Sequence, residues 1–203
     1  MSPAIPIVEE GGIQHFSEWL FRSNLGLLAY FSVHAGLGVM MRTVPGISSL
    51  HAFITIAMGI SYCLLRRQPR NWAFLAGYVV AAEVVWKMTN GLIYWEQGKY
   101  GVILILALAI GTTRAGGNIM AMTQFALMLP SAAVTVMLLP LALAVDSLSF
   151  NMSGPLCLCV ASVFFAGVRL SPMDLFRLFV VMLGPLFGIA VITVFNILTV
   201  PVE

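Results

Sequence analysis

Residues 178–200 read LFVVMLGPLFGIAVITVFNILTV, 23 positions without one ionisable side chain. Wound as an α-helix this stretch is about 34 Å long, enough to cross the ~30 Å hydrocarbon core of a bilayer. A soluble domain has no place for so long an uncharged apolar segment, so the bilayer is the solvent the sequence is written for. Working outward, six further apolar runs share its character: 24–41, 47–65, 72–88, 100–113, 119–141 and 153–168. The expectation is an all-α, polytopic transmembrane helix bundle of about seven spans with the N-terminus inside.

The punctuation between the runs supports this division. Arg42 and a turn at Pro45-Gly46 close the first, and Arg66-Arg67-Gln68-Pro69-Arg70 closes the second. A polar, aromatic segment at 94–100 follows the third. The fourth is the weakest, since its fourteen residues make only ~21 Å of helix. Pro130 predicts a kink in the fifth, Asp146 marks a loop before the sixth, and Gly184-Pro185 predicts a break in the seventh.

Composition agrees: 60% of residues are hydrophobic and 9% charged, against about 25% charged in an ordinary soluble domain. Lys and Arg set the orientation. With seven spans and an internal N-terminus, Arg22, Arg66, Arg67, Arg70, Arg114, Arg169 and Arg177 fall on the cytoplasmic side, and only Arg42 and Lys99 outside. Residues 1–23 form an N-terminal interfacial segment in this reading, amphipathic over 13–22. The transmembrane domain is 24–200, and 201–203 end outside. No stretch combines a basic face with interleaved aromatics, so nucleic acid is not an expected partner; membrane lipid is.

Signatures of soluble enzymes, nucleotide loops and cofactor sites are missing. His15, His34 and His51 are far apart in sequence and Cys63, Cys157 and Cys159 show no metal-ligand spacing, so neither a metal nor a cofactor is expected. Glu83 and Lys87 are the most informative pair. Charges at membrane depth are costly and face a bundle interior or a water-filled cavity, and the i, i+4 spacing puts both on one helix face. They read either as a self-neutralised structural pair or as the lining of a polar cavity used by a substrate. Mid-span His34 reads as a buried histidine bonded to a neighbouring helix or as a functional one, and Gly184-x-x-x-Gly188 as a close helix crossing. Asn151-Met152-Ser153 matches a glycosylation sequon by chance.

Five tracts together resemble the first half of the bacterial O-antigen ligase and O-antigen polymerase superfamily: EVVWKM (83–88), WEQGKY (95–100), NMSGP (151–155), RLSP (169–172) and GPLFG (184–188). The resemblance implies a glycosyltransferase of the bacterial inner membrane, active in polysaccharide biosynthesis. In that reaction a sugar hydroxyl attacks the anomeric carbon of a glycan on undecaprenyl diphosphate, and the lipid diphosphate leaves. It also implies a large outer loop carrying the family's conserved arginines and histidine. The chain ends where that loop is expected to begin, so no catalytic residue is carried over, and the 203 residues alone are expected to be inactive. Arg42, Glu83, Lys87 and Lys99 are the candidate substrate contacts, the cations being placed for a diphosphate. A small transporter and a non-catalytic membrane subunit are the competing readings.

Overall fold

The computed structural model describes residue 21 and residues 23–91, 96–113 and 116–199; the amphipathic stretch 13–22 and the C-terminal end 200–203 lie outside these but for Phe21. Among the described residues all regular structure is helical. In chain order the helices are α1 (Asn24–Thr43), α2 (Pro45–Arg66), α3 (Pro69–Met88), α4 (Gln97–Thr113), α5 (Ile119–Ala126), α6 (Leu129–Leu138), α7 (Leu141–Gly167) and α8 (Pro172–Thr199). With α5 and α6 taken end to end, the described residues form an all-α bundle of seven rods.

Proline sets most of the boundaries. Pro45, Pro69 and Pro172 each open a helix, where the missing N–H is an orphan in any case. The expected turn at Pro45-Gly46 is therefore the first turn of α2, and α1 reaches it through Val44 alone. Polar side chains cap where proline does not: Ser23 Oγ accepts from the Gly26 N–H at 2.9 Å, and Asn118 Oδ1 from the Ala121 N–H at 3.3 Å. Ser171 and Asp174 cap one another across the first turn of α8. The kink expected at Pro130 is a break between α5 and α6, one turn ahead of the ring.

Three expectations need correction. Asp146 is inside a helix, since α7 begins at Leu141 directly after Pro140. The polar segment before the fourth pass is helical from Gln97 onward. Gly184-Pro185 does not break α8, which runs 28 residues through both. An interior proline strands the carbonyl four residues back, here Val181, and the Tyr30 hydroxyl donates to that carbonyl at 2.8 Å. Gly184 makes this possible, because any Cβ there would run into the Tyr30 ring. One turn on, a Cβ at Gly188 would lie 2.9 Å from the His34 carbonyl. The Gly184-x-x-x-Gly188 crossing is thus the contact of α8 with α1.

α3 is the axis of the bundle, packed against α8, α4 and α2. α1 lies on α8 and α2, α4 lies on α7, and α5 and α6 lie on α7. Five passes are long and apolar enough to cross a membrane by themselves: α1, α2, α5–α6, α7 and α8. The remaining two, α3 with its charges and the 17-residue α4, carry the core residues Trp72, Val79, Trp86, Ile105 and Leu106. The least lipid-compatible helices are those that protein covers.

Candidate functional site

Two polar systems hang from opposite sides of α3. On the α1–α2 side, Trp86 Nε1 lies 3.0 Å from His51 Nδ1, and His51 Nε2 lies 3.2 Å from the Tyr78 hydroxyl. That hydroxyl lies 3.3 Å from His34 Nε2, and His34 Nδ1 lies 2.9 Å from the Tyr30 carbonyl. The two ends fix the direction of the whole chain. An indole N–H only donates and a carbonyl only accepts. His51 therefore accepts at Nδ1 and donates from Nε2 to Tyr78, Tyr78 donates to His34 Nε2, and His34 donates from Nδ1 to the carbonyl. This direction holds with both imidazoles neutral, and Thr55 Oγ1, 3.4 Å from His51 Nε2, shares that nitrogen. Leu37, Gly38, Met41 and Pro185 close the space beside the rings, which holds about one water-sized void.

His34 and His51, far apart in sequence, are thus joined through Tyr78, while His15 lies outside the described residues. His34 is bonded to a neighbouring helix, as expected, and His51 shares its network. The signal for His51 was available, because it too is an ionisable side chain within an apolar run. Tyr78 had none beyond being a polar group inside a span.

On the α4–α7 side the groups are charged. Lys87 Nζ lies 2.6 Å from Glu83 Oε1, and Lys99 Nζ lies 2.5 Å from Glu96 Oε2. Ser153 of α7 donates to Glu96 Oε2 at 2.9 Å and accepts from Lys99 at 3.5 Å. The pairs meet because Gly98 lets α4 close on the Glu83 carboxyl group, into which any Cβ would drive. The Glu96 carboxylate is met by the Lys99 ammonium and by the Ser153 hydroxyl. Its side chain is 3% exposed and that of Lys99 33%; Glu83 is 15% and Lys87 27% exposed. Glu96 is buried and Glu83 partly so, while the lysine side chains are the more exposed partners. Among the described residues Glu96 Oε1 accepts no hydrogen bond.

Of the four candidates, Glu83, Lys87 and Lys99 come together. Arg42 does not join their hydrogen bonds: its Nε donates to Asn196 Oδ1 of α8 at 3.4 Å. Glu96 and Ser153 complete the cluster. Glu96 was legible as an ion pair with Lys99 three positions on, whereas Ser153, read only as part of a sequon, becomes a partner through the packing of α7. No group of three metal-ligating side chains occurs among the described residues, and the cysteines there are free.

The cluster sits at an unexpected depth. Ser153 lies twelve residues from the start of α7 and fourteen from its end, so Glu96 and Lys99 touch the middle of a helix about 40 Å long. Tyr100 and Ser149 continue the contact upward, with their hydroxyl groups 2.9 Å apart. No protein-family model, curated protein or solved structure matches this chain.

Proposed function

We propose that this chain is the membrane portion of a glycosyltransferase of the O-antigen ligase and polymerase type, acting on undecaprenyl-diphosphate-linked glycan in the bacterial inner membrane. One observation supports this above others. Three of the five tracts that carry the resemblance, 83–88, 95–100 and 151–155, lie on three different helices, yet they supply Glu83 and Lys87, Glu96 and Lys99, and Ser153 to a single cluster. Tracts that share a site are the ones a family would be expected to hold in common.

The cluster contributes positioning more than charge. Its two acids and two lysines cancel, so Lys87 and Lys99 would have to give up a carboxylate before binding a diphosphate. Arg42, whose partner is a neutral amide, is better suited to that role. The carboxylates and Ser153 suit the orienting of hydroxyl groups, and proximity of this kind is a large part of what a transferase supplies. The arginine-rich end, with Arg66, Arg67, Arg70, Arg169 and Arg177, faces the cytoplasm in this reading.

The test is direct binding. The purified chain is mixed with a lipid-linked oligosaccharide and observed by native mass spectrometry. Retention of the lipid-linked sugar over the free lipid carrier is expected, weakened by Ser153→Ala. Equal retention of both, or of neither, would end this reading.

A further inference from the structure

The depth of the charged cluster, set against the surface of α6 and α7, carries an inference about access. Above Ser153 the first twelve residues of α7 rise about 18 Å further, accompanied by α6. The tip of this hairpin is apolar throughout: Val136, Met137, Leu138, Leu139, Leu141 and Leu143 are all exposed. An exposed apolar patch of this extent is unstable in water, so the bilayer reaches the tip. The charges beside Ser153 then lie well below the membrane surface. Ionised groups at that depth face either protein or water, and the Lys87 and Lys99 side chains are only partly covered by protein, 27% and 33% exposed.

A polar track leads up from them. Ser153, Ser149 and Asp146 lie on one side of α7 at intervals of four and three residues. Ser149 meets Tyr100 of α4, and Asp146 is exposed. We propose that α4 and the α6–α7 hairpin enclose a water-filled recess, open at the end opposite the arginines, with the Glu83–Lys87–Glu96–Lys99 cluster as its floor and Tyr100, Ser149 and Asp146 as its wall. It admits a hydrated ligand with no net charge, either neutral or zwitterionic, to the middle of the membrane. A simple anion would have to break one of the two ion pairs at the floor. The inference concerns access and does not require the ligand to be a glycan.

Thiol accessibility tests it. In protein lacking Cys63, Cys157 and Cys159 and reconstituted in liposomes, Ser149→Cys, Asp146→Cys and Leu158→Cys are treated with a membrane-impermeant cationic methanethiosulfonate. Leu158 lies one turn below Ser153 and is 63% exposed, but on a side facing lipid. The two wall positions should react at least ~10-fold faster than Leu158→Cys, because only a hydrated thiol ionises to the reactive thiolate. Silence at the wall positions, or equal rates at all three, would overturn the recess. Labelling as expected in a chain that retains no lipid-linked sugar would overturn only the functional reading.

Discussion

Tyr78 and Trp86 leave α3 toward α1 and α2, while Glu83 and Lys87 leave it toward α4 and α7, and the two sides satisfy their polar atoms differently. The histidine side is neutral and closed, its groups linked in one chain from the Trp86 indole to the Tyr30 carbonyl. The charged side is balanced but open. Its lysines are partly exposed, and one oxygen of Glu96 accepts nothing among the described residues. A fully satisfied buried network specifies how helices register against one another, whereas a partly satisfied one keeps capacity for a ligand. The contrast sets a closed face of α3 against an open one.

The most damaging test removes a cation from the charged side. Lys99→Met leaves Glu96 ionised and buried without its partner, and should cost about 3–5 kcal/mol, read as a lower unfolding temperature in detergent. Lys99→Arg should restore most of it. If Lys99→Met is harmless, the charged side is better hydrated than its geometry implies.

A smaller effect is expected on the neutral side. His51→Leu strands the Trp86 N–H and the Tyr78 oxygen, at a cost of about 1–3 kcal/mol. Adding Trp86→Phe should return part of that loss, because removing both partners of a buried hydrogen bond is nearly neutral. Additive losses would show that packing of the indole, and not its hydrogen bond, matters here.

Glu83 and Lys87 sharpen the comparison further. Glu83→Gln and Lys87→Met should each destabilise, and the double substitution should recover about 1 kcal/mol relative to their sum. Strictly additive effects would dissolve the pair and leave Glu83 dependent on another partner. A double variant that folds but no longer retains lipid-linked sugar would place the pair in the binding site.

Much of the fold was legible because hydropathy and proline act locally. The apolar runs became helices, and proline opened three of them at the first residue. The misreadings share a cause in tertiary packing. Pro185 predicts a break unless a donor from elsewhere reaches the Val181 carbonyl, and Tyr30 is far from it in sequence. Asp146 suggests a loop unless a helix can carry a carboxylate along a polar track. For the site, i, i+4 spacing identified Glu83 with Lys87, a pairing internal to one helix. Ser153, His51 and Tyr78 acquire their roles from neighbouring helices, which no spacing along the chain encodes.

The bond from Tyr30 to the Val181 carbonyl joins positions 151 residues apart, on the first and last described passes. During synthesis at about 5–20 residues per second, α1 waits roughly 8–30 s for this partner to be made. Through that interval the Tyr30 hydroxyl and the glycine-matched face of α1 need a temporary neighbour in the insertion machinery or a chaperone. Among the described helices α8 arrives last. A ribosome that stalls before it therefore leaves a product whose first helix packs on α2 but lacks its main neighbour.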